Sequence, residues 1–517
     1  MADFTFDPLT PASFLARSSA VFRDRIAVVD GERELTYAEF GRRSSAVTGL
    51  LAGLGVAPGD RVAALCANSH VQLELHHGAP MGGAVLVALN FRLSAQELAY
   101  IIRHAGAGVL IATMEYAGKA HEVARATGVR LVLAGQDGDD EYETLLAAAK
   151  PAPAERIDER GLLAINYTSG TTGPPKGVMY HHRGAFLQAL AMAFHARLDS
   201  ATRYLWTLPM FHCNGWCFTW AVTAAGGTHV CLRAVEPERI WRLLHEQGIT
   251  HLSGAPTVLS MIADHPGAGE RRLDSPVRIT TGGAPPTPTL LARLHELRMD
   301  VTHLYGLTET FGPIAVNEWQ ASWDERPPDE RAALRARQGV ANVIAGPLRV
   351  IDDHGADVPA DGATLGEIAA RGNDVMLGYY RDEAATEAVT TDGWLRTGDL
   401  AVTHPDGYVE IRDRRKDIII SGGENISSVE VEQALARHPA VLESAVVAGP
   451  DAHWGEVPVA FVTLRPGAAA TAQDLIDHVR SELATFKAPK RVVFSDLPKT
   501  STGKIQKNVL RDRVATD

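Results

Sequence analysis

The feature that most constrains the fold is a regular alternation, in the first half of the chain, of short apolar segments and segments of helix length. A strand that is apolar along its whole length is buried on both faces, as in a parallel sheet covered by helices. The sequence therefore predicts an α/β fold of layered parallel sheets, and a second run of the same kind begins near Tyr204. The predicted elements of the first run are strands at residues 61–66, 83–89, 108–112 and 130–134, with a helix at 71–82.

The pattern changes twice in the second half. After about residue 345, short strands separated by Asp/Gly turns predict a small β-rich subdomain. From about Asp417, helices at 429–437 and 472–483 alternate with strands at 443–448, 457–464 and 491–494. These segments predict a compact α+β unit. Because 517 residues are too many for one ordinary core, we predict an N-terminal domain at 1–415 and a mobile C-terminal domain at 416–517.

The charge balance argues against a nucleic-acid partner. The chain carries 62 acidic and 50 basic residues, for a formal net charge of -12. Proteins that grip nucleic acid usually carry the opposite excess. A polyanionic ligand must therefore be held by donors placed locally, not by the overall field of the protein.

Cysteine usage and the N-terminal segment predict a location in the cytoplasm. Four cysteines in so long a chain do not form a disulfide framework, which fits a reducing compartment. The spacing of His212, Cys213 and Cys217 matches no standard zinc pattern, so we expect no metal there. No secretory signal and no apolar run of membrane length is apparent in the sequence.

The sharpest chemical motif is the loop YTSGTTGPPKG at residues 167–177, which follows an apolar strand at 162–166. Glycines let the backbone approach a ligand closely, and hydroxyls donate to phosphate oxygens. The loop lacks the Gly-Lys-Ser/Thr of a Walker A motif. It predicts a phosphate-binding site made by Thr168, Ser169, Gly170, Thr171, Thr172, Gly173 and Lys176.

Five further motifs follow this loop in order: YGLTET at 305–310, GWLRTGD at 393–399, RRKD at 414–417, SGGEN at 421–425 and PKTSTGK at 498–504. With them, nearly the whole chain resembles the adenylate-forming superfamily of acyl-CoA synthetases, nonribosomal adenylation domains and luciferases. It is most similar to short- and medium-chain acyl-CoA ligases and to plant-type acyl-activating enzymes. The resemblance implies that MgATP and an acid give acyl-AMP and pyrophosphate, after which CoA, as co-substrate, takes the acyl group and AMP leaves.

The resemblance also assigns the adenylate site. Tyr305 and Gly306 precede Thr308, which would bond the α-phosphate, and the aromatic face of Tyr305 would stack on adenine. Glu309 offers a hard oxygen ligand, which suits the Mg²⁺ that accompanies ATP. The family turn between adenine and the acyl group corresponds to Gly282, Gly283 and Ala284.

Two later positions match the family's ribose contacts. A carboxylate only accepts hydrogen bonds, so Asp399 suits the ribose hydroxyls, with Arg414 beside it. The alternative is an ordinary ion pair between Asp399 and Arg414.

The resemblance places a catalytic lysine and a hinge near the C-terminus. Lys504 would neutralise charge that develops on the α-phosphate, whereas Lys499 and Lys507 are expected to be solvated. Lys416 matches the hinge of a C-terminal domain that takes two poses. In the second pose, Gly422 and Gly423 would line the path of the pantetheine arm.

The acid pocket is expected around residues 209–216 and at Gly282. In acyl-CoA-forming relatives, the position of His212 contacts the carboxylate or gates the thiol path, with a purely structural histidine as the alternative. Asn214, Gly215 and Trp216 would line the pocket, and a tryptophan such as Trp216 or Trp220 would shorten it. Serine occupies position 428, a helix start where many members have proline, and we expect no loss of function from it.

Three alternatives remain open at this point. The acyl group could pass to the pantetheine of a carrier protein instead of CoA. The enzyme could activate nitrite for diazotisation of an aryl amine. The chain could also bind nucleotide without catalysis, although Glu309, Asp399 and Lys504 are all intact. The expected partners are a small acid and CoA, with no nucleic acid and no membrane span, and with a homodimer as one option for assembly.

Overall fold

The computed structural model describes residues 6–135, 140–150, 157–168, 174–270, 272–284, 286–499 and 505–516. The chain divides into two compact units. The first comprises Met1–Glu318, Ala341–Pro347 and Arg371–Thr390, and the second comprises Trp319–Val340, Leu348–Ala370 and Thr391–Asp517. The predicted boundary at residues 415/416 lies inside the second unit, and it remains a prediction.

The helices of the first unit are α1 Ala12–Val21, α2 Tyr37–Gly53, α3 His70–Met81, α4 Ala95–Ala105, α5 Ala117–Thr127, α6 Glu141–Ala148, α7 His182–His195, α8 Cys213–Trp216, α9 Phe218–Ala225, α10 Pro237–Glu246, α11 Pro256–Ala263 and α12 Pro288–Glu296. The helices that follow are α13 Pro328–Ala336 in the second unit and α14 Glu383–Ala388 in the first.

The strands of the first unit are β1 Ile26–Asp30, β2 Arg33–Thr36, β3 Arg61–Leu65, β4 Val85–Ala88, β5 Ala107–Thr113, β6 Arg130–Ala134, β7 Leu162–Tyr167, β8 Gly177–His181, β9 Arg203–Leu205, β10 Thr228–Val230, β11 His251–Gly254, β12 Val277–Thr281, β13 Met299–Leu307 and β14 Gly312–Val316. The two-residue strand β15, Val340–Ala341, falls at the division between the units.

Local sequence signals explain where helices of the first unit begin and end. Thr36 and Glu39 form a reciprocal capping box at the start of α2, and Ser94 and Glu97 form another at the start of α4. Each box satisfies backbone N–H groups that lack a partner within the helix. Helix α4 ends at Gly106, whose φ of 68° is a left-handed conformation that glycine adopts without steric cost.

The first unit contains two mixed sheets. One has the order β6-β5-β3-β4-β7-β8, and all its pairs are parallel except β7 with β8. The other includes the order β14-β13-β12-β11-β9-β10-β1-β2, with antiparallel pairs only at its two ends, β13 with β14 and β1 with β2. The predicted α/β fold of parallel layers is confirmed, whereas the antiparallel edge strands were not foreseen.

The second unit is built mainly on antiparallel pairing, and β24 with β25 is a parallel pair. Its strands are β16 Arg349–Ile351, β17 Gly366–Ala370, β19 Trp394–Thr403, β20 Val409–Arg414, β21 Ile419–Ser421, β22 Glu424–Ile426, β23 Val441–Asp451, β24 Gly455–Leu464 and β25 Arg491–Phe494, and β18 Thr390–Thr391 lies at the division. One sheet runs β16-β17-β19 with β20 on β19, and another runs β22-β21-β24-β23 with β25 on β24. The remaining helices are α15 Ser428–Ala436, α16 Ala472–Glu482 and α17 Lys507–Thr516. These sheets match the predicted β-rich and α+β segments.

In the described ranges, no helix combines the length and the apolar character that a membrane crossing requires.

A buried carboxyl group in the first unit has only a neutral donor facing it. Asp374 is fully buried, and its Oδ2 accepts a hydrogen bond of 3.0 Å from the amide of Asn342. The same amide reaches Gln188 and the carbonyl of Pro313. Burial raises the pKa of Asp374 to about 7, because the neutral amide does not compensate for the lost hydration of a carboxylate.

This raised pKa predicts that Asp374→Asn stabilises the native protein, and that the stabilisation is larger at high pH. The unfolded chain ionises Asp374 near pH 4, so the stability of the native protein falls as the pH rises from about 4 to about 7 and then levels off. Asparagine keeps the acceptor for Asn342 and cannot ionise. We expect the melting temperature of the variant to exceed that of the wild type at pH 8, by more than at pH 5. Circular dichroism during heating measures it, and the exposed Asp264→Asn is the control; an equal difference at both pH values would contradict the prediction.

Candidate functional site

The predicted phosphate loop is flanked by the antiparallel strands β7 and β8. Tyr167 at the end of β7 pairs with Gly177 at the start of β8. The N–H of Thr168 donates to the carbonyl of Lys176 at 3.0 Å. Thr168 and Lys176 therefore form the stem of the loop, while Ser169, Gly170, Thr171, Thr172 and Gly173 lie outside the described residues.

Tyr379 joins this stem to the predicted metal ligand, Glu309. The ammonium of Lys176 lies 4.8 Å from the centre of the Tyr379 ring, in the range of a cation–π contact. The hydroxyl of Tyr379 donates to Oε1 of Glu309 at 2.7 Å. Burial and the neighbouring Glu309 carboxylate raise the pKa of Tyr379, so the phenol stays protonated as a donor.

The sequence analysis did not single out Tyr379. It lies on a segment that hydrogen-bonds along β8: the N–H of Leu377 donates to the carbonyl of Met179, and the N–H of Met179 donates to Gly378. The available signal was the pair of tyrosines after a glycine at 378–380, but nothing in it indicated a partner 70 residues earlier.

Thr308 and Glu309 form a tight turn between β13 and β14. The hydroxyl of Thr310 accepts from the N–H of Leu307 at 2.9 Å and donates to the carbonyl of Gly312 at 2.7 Å, which closes the turn. The hydroxyl of Tyr180, on β8, donates to the carbonyl of Thr308 at 2.7 Å. The turn is therefore fixed both by its own sequence and by the neighbouring strand.

Gly306 is required by close packing. A Cβ atom at this position would lie 1.9 Å from the carbonyl oxygen of Gly312, which no side chain tolerates. Tyr305, the residue before it, is buried. The two other predicted ligand-side residues, Gly283 and Ala284, are exposed, and Gly283 has a φ of 87° with open space where a Cβ would stand.

The predicted acid pocket contains an unusual backbone turn. Five consecutive residues, the four of α8 and the one after it, have positive φ, so α8 is a left-handed turn and not a regular α-helix: Cys213 (49°), Asn214 (44°), Gly215 (60°), Trp216 (52°) and Cys217 (62°). This segment, which we call the left-handed turn, follows the half-buried His212. A left-handed conformation costs a non-glycine residue about 1–2 kcal/mol, and such strain collects at functional sites.

The left-handed turn contacts the Thr308 turn through Cys213. The Sγ atom of Cys213 lies 3.6 Å from the hydroxyl oxygen of Thr308. Burial raises the pKa of the Cys213 thiol to about 12, so it remains neutral. In the described part of the chain, no group of three or more His, Cys, Asp or Glu side chains is arranged to hold a metal ion.

Trp216 lies against Gly282, another predicted pocket residue, and against Gly312. A Cβ on Gly282 would meet the Trp216 ring at 3.3 Å, and a Cβ on Gly312 would meet Cδ1 of Trp216 at 3.2 Å. Trp220 points elsewhere: it is fully buried, and its indole N–H donates to the carbonyl of His76 on α3 at 3.0 Å. Of the two tryptophans, it is therefore Trp216 that lies beside Gly282.

Asp399 and Arg414 are brought together within the second unit. They occupy facing positions on β19 and β20, and Nε of Arg414 lies 3.0 Å from Oδ1 of Asp399. The carboxylate is buried, with 5% of its side chain exposed, whereas Arg414 is 32% exposed. The ion pair considered as an alternative is thus present. Lys416, the predicted hinge residue, is exposed.

Gly422 and Gly423 form the two-residue turn between β21 and β22. Their φ values are 59° and 88°, as this type of hairpin turn requires. A Cβ on Gly422 would lie 2.7 Å from the ring of Trp454. Both glycines are exposed, and the predicted catalytic residue Lys504 lies outside the described residues.

The expectation that Lys507 is solvated is wrong. Its ammonium donates to the hydroxyl of Ser428 at 2.7 Å and pairs with Glu432 at 2.7 Å, and 15% of its side chain is exposed. Ser428 in turn donates to Oδ2 of Asp413 at 2.7 Å, a bond that proline could not make. Serine at this position therefore has a specific contact, which the sequence alone did not indicate. Lys499 pairs with Glu443 at 2.7 Å.

Comparison with known proteins agrees with this arrangement. Residues 15–380 match the family model described as AMP-binding enzyme, and residues 430–504 match the one described as AMP-binding enzyme C-terminal domain. An acetate–CoA ligase of Humulus lupulus is 42% identical, covering 98% of this chain and 94% of its own. A peroxisomal acetate/butyrate–CoA ligase of Arabidopsis thaliana is 41% identical over 98% of this chain and 95% of its own.

A solved structure is similar over the same span. The ATP-bound MatB of Rhodopseudomonas palustris superposes with a TM-score of 0.86 at 28% identity, covering 97% of this chain and 98% of that one. The family models and the relatives above 40% identity extend over most of the chain. The chain therefore belongs to the family of AMP-binding enzymes.

Proposed function

We propose that the residues around Thr308 and Glu309 activate a carboxylic acid with ATP. The protein is an AMP-forming acid–thiol ligase: it forms an acyl-adenylate with release of pyrophosphate and then transfers the acyl group to CoA. One observation carries the assignment of the site. On one side, the Thr308 turn contacts Cys213 of the left-handed turn. On the other side, Glu309 is connected through Tyr379 to Lys176 in the stem of the phosphate loop.

These contacts support the following division of roles in adenylation. Lys176 and the hydroxyl-rich loop would bind the phosphates that leave as pyrophosphate, and Thr308 would bond the α-phosphate. Tyr305, Gly306, Gly283 and Ala284 would hold the adenine. The carboxylate of the acid, oriented near His212, attacks the α-phosphorus and displaces pyrophosphate.

Glu309 fits the role of a magnesium ligand. It is a partly exposed carboxylate whose Oε1 is oriented by the neutral phenol of Tyr379. Because a neutral donor does not cancel the negative charge, the carboxylate would still attract a cation. When bound, Mg²⁺ would offset the negative charge of the phosphates. Tyr379 would fix the direction in which Glu309 presents its oxygens.

Residues of the second unit are assigned on their sequence positions. Asp399 would accept hydrogen bonds from the ribose hydroxyls, oriented by Arg414. Lys504 would stabilise the charge of the adenylation step, and rotation near Lys416 would replace it by the Gly422–Gly423 turn for attack by the CoA thiol.

The acid is proposed to be short. Trp216 lies beside Gly282, and at the proposed acid pocket its large ring would limit the length of the acyl chain. The two curated relatives described above are named for acetate and butyrate. We further propose that the enzyme is a cytoplasmic homodimer, although the Arabidopsis relative is named peroxisomal.

A screen of pyrophosphate release over a panel of acids, each with and without CoA, tests this function. We expect release with straight-chain acids of about two to six carbons, because Trp216 shortens the pocket, and acyl-CoA formation only when CoA is present. A carrier protein in place of CoA, and nitrite with an aryl amine in place of the acid, form the comparison arms. Acyl transfer only to the carrier protein, or pyrophosphate release only with nitrite, would contradict the proposal. The absence of pyrophosphate release with every acid tested would also contradict it.

Removing the hydroxyl of Tyr379 tests the assignment of Glu309. Tyr379→Phe keeps the ring beside Lys176 but deletes the hydrogen bond to Glu309. We expect kcat for pyrophosphate release to fall about tenfold and the Mg²⁺ concentration for half-maximal rate to rise, with a smaller change in the KM for ATP. Tyr380→Phe, which alters the adjacent tyrosine, is the control. Unchanged Mg²⁺ dependence in Tyr379→Phe would remove Tyr379 from the site.

Lys504→Ala separates the two half-reactions. If Lys504 acts only in adenylation, pyrophosphate release should be lost, while formation of acyl-CoA from preformed acyl-adenylate should largely persist. Single-turnover assays of each step measure this difference, and Lys499→Ala provides the control. Equal loss in both steps would show that Lys504 does not have this role.

A further inference from the structure

Two buried amides connect β7, which leads into the phosphate loop, with the left-handed turn. Asn166 is 2% exposed and Asn214 is 0% exposed. Nδ2 of Asn166 donates to Oδ1 of Asn214 at 2.6 Å, and the backbone N–H of Asn214 donates to Oδ1 of Asn166 at 3.3 Å. One side chain thus binds both the side chain and the backbone of a single residue in the turn.

The backbone contact fixes the orientation of both amides. Because the backbone N–H of Asn214 needs an acceptor, Oδ1 of Asn166 must face that N–H. Nδ2 of Asn166 must then face the side chain of Asn214. Oδ1 of Asn214 therefore points to Asn166. Nδ2 of Asn214 has no hydrogen-bond partner among the residues that the structure describes. Burying an unpaired amide N–H costs free energy. Packing alone would therefore not favour two asparagines at these positions.

The strain in the turn explains what the pair does. Four of its five residues are not glycine, and together they hold a conformation that each would leave if released. The carbonyl of Asn214 is also engaged, since it accepts from the hydroxyl of Thr219 at 3.1 Å. Asn214 is therefore held through its side chain, its N–H and its carbonyl, and β7 supplies two of those three contacts.

We propose that Asn166 and Asn214 are positioning residues for acid selection. Their hydrogen bonds hold the left-handed turn against β7, which sets the place of Trp216 and His212 relative to the phosphate loop. Neither amide touches a reacting atom in this scheme. The proposal rests on the proposed placement of the acid pocket. It replaces the pocket-lining role predicted for Asn214, whose side chain is fully buried against Asn166, and adds that the length of acid accepted depends on this hydrogen bond.

The test compares Asn166→Ala, Asn214→Ala and the double variant with the wild type. With the turn released, we expect the KM for a short acid to rise about tenfold, with the KM for ATP changed less than about twofold. The preference for a four-carbon acid over an eight-carbon acid, measured as a ratio of kcat/KM, should shrink. Because Asn166→Ala already removes both hydrogen bonds, the double variant should match Asn166→Ala, whereas Asn214→Ala, whose backbone N–H can still donate to Asn166, should show the smaller effect.

Two further variants distinguish positioning from general stability. Trp241→Phe removes a buried hydrogen bond of 2.9 Å to the carbonyl of Ile262, away from the site, and should lower the melting temperature without changing the acid preference. Asn166→Asp retains the acceptor for the backbone of Asn214 and, after rotation of the Asn214 amide, accepts from its Nδ2. This variant should restore the wild-type acid preference.

The outcomes are separable. If both alanine variants lower the melting temperature but keep the wild-type acid preference, as Trp241→Phe should, the pair is merely structural. If the double variant shows the product of the single effects, the two amides act independently and the proposal fails. A folded Asn166→Asp protein with the preference of Asn166→Ala also contradicts it. If the wild type releases no pyrophosphate with any acid, the proposed function fails instead.

Discussion

The contact of the Gly306 backbone with the carbonyl of Gly312 is the constraint on which the site depends. It lets β13 and β14 approach more closely than any side chain would allow, and the turn between them carries Thr308 and Glu309. A substitution at Gly306 would therefore displace Thr308 and Glu309 through the backbone. The stem of the loop motif, formed by Thr168 and Lys176, is connected to Glu309 through Tyr379.

The elements of the fold could largely be predicted from the sequence, because burial on both faces leaves a local signature. Strand β6 was predicted at its observed bounds, and α3 was predicted to within one residue. The edge strands were harder, since β8 begins directly after the phosphate loop and lacks a separate apolar run. Pairing partners are long-range properties, so the antiparallel edges had no local signal.

The candidate site was predictable where a motif names a residue type and unpredictable where two distant residues meet. The roles of Glu309 and Asp399 are predictions from their motifs, whereas the hydrogen bond from Tyr379 to Glu309 spans 70 residues and has no local signal. For Lys507, the prediction of a solvated side chain was wrong. Its sequence context is that of a surface lysine, but Glu432 and Ser428 pair with it from α15. A single charge near the end of a chain does not reveal whether a carboxylate from another element reaches it.

The left-handed turn shows why the side proposed to bind the acid is hard to predict from the sequence. Only Gly215 in the turn favours a positive φ for steric reasons, and asparagine tolerates it better than the other three residues. The conformation therefore cannot come from local preference, and it must be imposed by contacts such as those from Asn166 and Thr219. Because strain of this kind is released when any one contact is lost, acid specificity can change through residues that never touch the acid. Variation in such supporting residues can alter acid choice while the phosphate side, built on Gly306, stays the same.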